Sequence, residues 1–477
     1  MVDSTIDGGA NTDRISVADG LTIANTVSFA NATSIEELYV TGTAASSIAL
    51  DVTAQTAGIN TINIATATAN STVDVSEFTT GVNITGGTAN DNLTGGSAAD
   101  TISGGTGADS ITGNNGADML FGEDNDDIFL YTDNLQLRNN ATVIGGNGTD
   151  TIKFSVAIDP LNFGNFNGDV SKVRQVEKVA LFGASSLNLG DAVHAAGITT
   201  IITGSDNTEL RYDDPVLGTI TADATELADN KTLTLTQDYD FGAGPYFNVT
   251  NLKGNVSAQN LSGAISVTAS SGVGFDIDVV GGNGNNTITG GAGNDTIVGG
   301  SGSDTITGAA GNDSLTGGSQ QDLFTYLSGA EDNNAAFSAA NGEDTIVNFH
   351  AGAGGDFIRW LSSLRAINGN TNSTATYQTG AINEAINPSA GVYDLKGQTT
   401  DGSADGLVAN LGTAATNADL DAGDRLVFIN YLAAFEAQIW SFTDTNGQNV
   451  DASELQLAAT LTGVAANSMS DTNWTAV

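Results

Sequence analysis

The sequence predicts an all-β chain: two parallel β-rolls of GGxGxD nonapeptides, joined to modules that read either as β-solenoid or as β-sandwich. Three observations lead there. A nine-residue unit recurs in phase in two blocks. Outside the blocks, short runs alternate apolar and polar residues between Gly and Asn turns. The composition holds 60 Gly, only 4 Pro and no Cys in 477 residues. Tight turns are therefore abundant, strand-breaking proline is scarce and disulfide staples are excluded.

The first block, residues 86–130, divides into GGTANDNLT, GGSAADTIS, GGTGADSIT, GNNGADMLF and GEDNDDIFL. The second, residues 281–325, divides into GGNGNNTIT, GGAGNDTIV, GGSGSDTIT, GAAGNDSLT and GGSQQDLFT. Position six holds Asp91, Asp100, Asp109, Asp118 and Asp127, then Asn286, Asp295, Asp304, Asp313 and Asp322. Position eight is always large and apolar, from Leu93 to Phe129 and from Ile288 to Phe324. Glycines at positions one, two and four permit a tight turn with positive φ, and residues seven to nine form a short strand with one inward side chain.

Two nonads complete one turn of a flattened solenoid, so carboxylates on one side are 18 residues apart. Stacked turns are about 4.8 Å apart. Two carboxylates at that spacing repel by about 1 kcal/mol in bulk water, and more where water is scarce. A Ca²⁺ between turns reverses the sign, with carboxylate and turn carbonyl oxygens supplying hard ligands. The expected pairs are Asp91/Asp109, Asp109/Asp127 and Asp100/Asp118, then Asp295/Asp313, Asp304/Asp322 and a weaker Asn286/Asp304. Single nonads at 8–16 and 145–153 add Asp13 and Asp150. Each lacks a neighbour two repeats away, hence half a site; a structural turn and a calcium site both stay open there.

Composition points the same way. Charged residues are only 14%, yet 55 acids face 13 bases, a formal charge of −42. That balance excludes nucleic acid and anionic membrane as partners, which call for Lys and Arg, and leaves cations as the missing counter-charge. No apolar stretch is long enough to span a bilayer, and the first residues do not read as a signal peptide.

The in-phase blocks resemble the RTX (repeats-in-toxin) family. The resemblance implies calcium-loaded β-rolls that form after export by a type I system. Residues 342–361, GEDTIVNFHAGAGGDFIRWL, resemble the segment that follows the last repeat in such proteins, with Asp344 and Asp356 at acidic positions. Residues 437–464 resemble a C-terminal export region, with Asp444 and Asn446 in a turn.

The expected organisation is a β-rich module at 1–85, a roll at 86–131, a second β-rich module at 132–280, a roll at 281–326 and a C-terminal β region at 327–477. Within the first module, strands are expected at Glu37–Val40, Ser47–Val52, Ile59–Ile64, Thr72–Val75 and Val82–Thr85. Segments 8–18, 34–42, 57–62 and 82–87 correspond to 145–157, 175–183, 196–201 and 278–283, so the second module is a copy with an insertion between 203 and 278.

Chemistry is hard to find. His194 and His350 stand apart without paired acids, and neither HExxH nor GxSxG occurs. The chain is expected not to be an enzyme. Tyr131 and Tyr326, each two residues after a closing Phe, are expected to cap the open end of a roll. The functional expectation is an extracellular, cell-surface structural protein, similar to RTX surface-layer proteins. Its partners would be copies of itself in a lattice, the export machinery, and a cell-surface polysaccharide. A non-catalytic part of a larger secreted enzyme or adhesin, and an enzyme with an unrecognised site, remain as alternatives.

Overall fold

The computed structural model describes residues 6–18, 20, 22–24, 29–132, 141–157, 161–162, 172–189, 196–212, 220–228, 231–237, 245–252, 254–258, 261, 263–269, 276–327, 344–349, 356–361, 376–379, 390–399, 425–433, 436–443, 455–462 and 474–476. His194, His350, Asp444 and Asn446 lie outside them. The chain forms two compact units, Met1–Glu226 and Leu227–Val477.

In the first unit, successive strands fall alternately on two parallel sheets. One runs Arg14–Ala18, Glu37–Thr41, Thr61–Asn63, Asn83–Thr85, Thr101–Thr106, Met119–Asp124 and Thr142–Asn147. The other runs Thr22–Ile23, Ser47–Ala49, Thr72–Asp74, Asn92–Thr94, Ser110–Thr112, Ile128–Tyr131, Thr151–Phe154, Lys178–Ala180, Thr200–Ile202 and Ile220–Asp223. A third parallel set joins Leu161–Asn162, Ser185–Leu189 and Thr208–Tyr212.

Register follows the apolar position of the nonad. Val73, Leu93, Ile111, Phe129 and Ile152 stack on one sheet, and Ile62, Ile84, Ile102, Leu120 and Val143 on the other. All are buried. A step of one residue would turn every one of them outward, so the apolar column fixes the register.

The flanking modules are further stacked parallel turns, not sandwiches. The expected strand at Ser47–Val52 stops at Ala49, because Asp51 caps a six-residue helix, Val52–Ala57, by accepting from the amides of Thr53 and Ala54. Gly58, with φ 112°, ends that helix in the left-handed region. Tyr131 does not cap an open end. Thr151–Phe154 pairs directly with its strand, and the Tyr131 and Phe154 rings lie 5.8 Å apart between centroids. Tyr326 likewise has a following strand, pairing in register with Trp360.

The second unit repeats the plan. Asp278–Val280, Thr296–Ser301, Ser314–Ser319 and Asp344–Val347 stack on one sheet. Ala264–Ala269, Thr287–Thr289, Thr305–Thr307, Leu323–Leu327 and Phe357–Leu361 stack on the other. The first sheet continues through Leu455–Thr462, which pairs antiparallel with Glu436–Thr443, itself antiparallel to Arg425–Ala433. These three C-terminal strands are an antiparallel meander grafted onto a parallel sheet, and Ala390–Thr399 and Thr376–Thr379 extend it in parallel. Among the described residues, no helix is long and apolar enough to cross a membrane.

Candidate metal sites

Position six of each nonad sits where the turn enters its strand, and the fold buries it. Asp91, Asp100, Asp109, Asp118, Asp127, Asp150, Asn286, Asp295, Asp304, Asp313, Asp322, Asp344 and Asp356 are all 3% exposed or less. Asp13 is only half-buried. Buried carboxylates of this number call for partners, and the chain provides backbone amides.

The partners form ladders. The Asp91 amide donates to Asp109 Oδ1 (2.7 Å), that of Asp109 to Asp127 (2.8 Å), and that of Asp127 to Asp150 (2.8 Å). On the opposite side the Asp100 amide donates to Asp118 Oδ1 (2.9 Å). In the second unit Asn286 donates to Asp304, Asp304 to Asp322 and Asp322 to Asp356, at 2.7, 2.9 and 3.1 Å. The amide of Asp295 donates to Asp313 and that of Asp313 to Asp344, at 2.8 and 3.0 Å. Every pair expected from the 18-residue step is brought together. Asp150, which in sequence has no neighbour, stands between Asp127 and Glu177, whose Oε2 accepts from the Asp150 amide at 2.8 Å. The Asp13 amide likewise donates to Glu36 Oε2 at 2.8 Å.

Each ladder uses Oδ1, which leaves Oδ2. In the first nonad of a column, Oδ2 accepts from the turn amide: Gly87 for Asp91, Gly96 for Asp100 and Gly291 for Asp295. Deeper in the columns, Oδ2 of Asp109, Asp127, Asp150 and Asp304 is buried with no hydrogen-bond partner. Each such oxygen faces a backbone carbonyl of the next turn across the space where glycine lacks a Cβ. At Gly104 an added Cβ would collide with Asp109 Oδ2 and lie 2.8 Å from the Gly122 carbonyl oxygen. Gly122 is walled by Asp127 Oδ2 and the Gly145 carbonyl, and Gly299 by Asp304 Oδ2 and the Gly317 carbonyl. Glycine at position one is therefore needed for space; contrary to the expectation, the positive φ angles of the nonads fall only at positions two and four, as at Gly105 (106°) and Gly107 (114°).

The electrostatics record the same crowding. Burial, reinforced by neighbouring carboxylates, lifts the carboxyls of Asp109, Asp118, Asp127, Asp304 and Asp313 from 3.8 to about 7. Asp150 rises to about 6. Burial also raises Asp91, Asp100 and Asp295. Among the described residues, ion pairs join Arg14 to Glu37 and Arg211 to Glu209, and neither touches a ladder aspartate.

Among the described residues, no three Asp, Glu or His side chains converge on one point. The donor set of each cradle is one orphaned carboxylate oxygen and main-chain carbonyls, all hard oxygens, which suits Ca²⁺ and not a soft metal. Asn286 differs. Its Nδ2 donates to the Gly299 carbonyl (3.0 Å) and to Asp304 Oδ1 (2.9 Å), filling its own cradle.

Two features escaped the sequence reading. Position-five side chains build a second ladder of opposite sense, with the amides of Ala108, Ser303 and Asn312 donating to Oδ1 of Asn90, Asn285 and Asn294. Spacing alone could have found it, since Asn recurs at position five. Glu36 and Glu177 lie outside the nonads, but the correspondence of 34–42 with 175–183 puts them at equivalent positions and could have found them.

Both blocks match the family model described as the RTX calcium-binding nonapeptide repeat (4 copies), at residues 83–111, 94–129, 278–306 and 298–330. No curated protein matches the chain. The two blocks are thus RTX repeats of a calcium-binding kind, and they make up a minority of the chain.

Proposed function

We propose that this is an extracellular, non-catalytic structural protein whose stacked turns fold around Ca²⁺ and whose copies assemble into a surface layer. The observation that carries the calcium reading is the row of buried Oδ2 atoms facing carbonyls with no donor between them. Asp109, Asp127 and Asp304, with the carbonyls of Gly122, Gly145 and Gly317, would hold the ion, and Asp91, Asp100, Asp118, Asp295, Asp313, Asp322, Asp344 and Asp356 extend the same columns. Bound calcium supplies positive charge between acceptor oxygens; the residues orient those oxygens and exclude water. Asn286, with an amide in the cradle, holds none.

Assembly is supported by charge. At −42, copies repel one another at long range, and a divalent cation that lowers the charge of each copy also eases contact. Few aromatic and basic residues and no recognisable catalytic constellation fit a structural role. Millimolar Ca²⁺ is expected to convert monomers into ordered sheets or ribbons, read by light scattering and electron microscopy. Folded monomers alone in Ca²⁺ would refute the lattice and favour the second reading, a calcium-binding part of a larger secreted enzyme or adhesin.

A further inference from the structure

Outside the matched blocks, two turns reproduce the cradle with a glutamate in place of the next aspartate. At the first, the Asp150 amide donates to Glu177 Oε2 (2.8 Å), and the Asp150 carbonyl accepts from the amides of Glu177 (3.1 Å) and Lys178 (2.9 Å). At the second, the Asp13 amide donates to Glu36 Oε2 (2.8 Å), and the Asp13 carbonyl accepts from Glu36 (3.0 Å) and Glu37 (3.1 Å). The residue two before each glutamate is left-handed, Gln175 at φ 54° and Ser34 at φ 57°. Non-glycine residues pay about 1–2 kcal/mol there.

The carbonyl of that residue faces the glycine that opens the nonad. Gln175 O and Asp150 Oδ2 crowd the point where Gly145 lacks a Cβ, and Ser34 O and the Asp13 carboxylate crowd the same point at Gly8. Asp150 is fully buried, and its Oδ2 has no hydrogen-bond partner. Asp13 Oδ2 has none either. Two acceptors pressed together without a donor repel, and burial removes the water that would separate them. The nearby cation, Lys178, follows Glu177 in sequence but contacts the site through its backbone amide.

We propose that Asp150, Glu177 and the Gln175 carbonyl form a Ca²⁺ site outside the repeat blocks, and that Asp13, Glu36 and the Ser34 carbonyl form its twin. The proposal rests on the calcium reading of the blocks and extends it to two single nonads, each completed by a glutamate from a turn that carries no repeat. The chemistry asked of the ligand is that of a hard divalent cation: one aspartate oxygen, one carbonyl and the charge of a glutamate. The extra methylene of Glu lets a turn lacking the glycine-rich loop still reach the amide of the preceding aspartate. The column from Asp91 to Asp150 is thereby closed by a residue from a non-repeat segment, and Glu36 completes the single nonad at Asp13.

The test counts Ca²⁺ bound per full-length chain by equilibrium dialysis with atomic absorption, with far-UV circular dichroism in parallel. Glu177→Gln and Glu36→Gln keep an acceptor for the aspartate amide and remove one charge. Each is expected to bind one ion fewer at a free Ca²⁺ that just saturates the native chain, with the spectrum unchanged. The two lie in different turns, so misfolding of one leaves the other to decide. Asp109→Asn is the block control. If it loses an ion while both glutamate variants keep the full count, the glutamate sites are refuted and the block reading stands. If it keeps the full count as well, the failure belongs to the calcium reading itself.

Discussion

Asp109 does two separable things, and two substitutions take them apart. Its Oδ1 accepts from the buried Asp91 amide, and its Oδ2 faces the Gly122 carbonyl. Asp109→Ala removes both. It strands the Asp91 amide, at about 1–3 kcal/mol, and removes a cation worth about 2.7 kcal/mol at a hundredfold excess over its Kd. The expected loss in saturating Ca²⁺ is about 4–6 kcal/mol. Asp109→Asn keeps the ladder acceptor, and its amide fills the cradle as that of Asn286 does. It is expected to lose only the cation contribution, about 2.7 kcal/mol. Urea unfolding of the full chain reads the difference. Circular dichroism follows both units, whereas fluorescence from Trp360, Trp440 and Trp474 follows only the second. Both substitutions should move the dichroism transition of the first unit and leave the fluorescence transition in place. Equal losses for Ala and Asn would show that the ladder contributes nothing. No loss for Asn would show that the cradle holds no ion.

Chelation is expected to abolish the β-type dichroism of the blocks, and an unchanged spectrum would refute calcium-dependent folding. The raised aspartates set a pH window. Their folded pKa of about 7 lies above the unfolded 3.8, so the metal-free fold binds more protons than the unfolded chain between those values. Its stability is therefore fully present below 3.8 and lost as pH rises through about 7. Ca²⁺ competes for the same oxygens, so its affinity should rise over that window and its binding should release protons near pH 6–7; a pH-stat that records no release contradicts this. Gly104→Ala drives a Cβ into Asp109 Oδ2 and is expected to cost one ion and about 1–3 kcal/mol of packing strain. Gly9→Ala, with no atom within 4 Å of the added carbon and a φ of +90°, should cost only backbone strain of about 1–2 kcal/mol and leave the ion count intact, as the same dialysis assay will show.

The rolls were legible because one residue in nine had to be apolar and one had to be acidic. Leu93, Ile111 and Phe129 are in register for the same reason that Asp91, Asp109 and Asp127 are: both sets step by one full turn. What the period could not show was that stacking survives a change of step. The ladder crosses 23 residues from Asp127 to Asp150, 31 from Asp313 to Asp344 and 34 from Asp322 to Asp356. Parallel pairing needs only that a strand return to the next rung, so the connection can lengthen without breaking the column. The expectation that Tyr131 and Tyr326 cap a roll failed on that point, since the end of the repeat was taken as the end of the stack. The helix at Val52–Ala57 was hidden by β-branched Val and Thr in a Thr/Ala-rich run, where the deciding signal is the cap at Asp51.

The charge of the chain follows from the same geometry. A carboxylate can be neutralised by Lys or Arg, but those side chains need room for a long stem and a hydrated or planar head. Between turns stacked at strand spacing, the room is what a glycine leaves by lacking a Cβ. A compact ion could occupy that room while bonding to a carboxylate and a carbonyl together. A demand for such ions is consistent with 55 acids against 13 bases, and the Arg14–Glu37 and Arg211–Glu209 pairs leave the ladder aspartates to other partners. The formal −42 is then the charge of the ion-free chain. Each Ca²⁺ taken up removes two negative charges, relieves acceptor repulsion inside a turn and lowers repulsion between copies. Folding, and the proposed association of copies with it, would thereby depend on one variable, the free Ca²⁺ around the molecule.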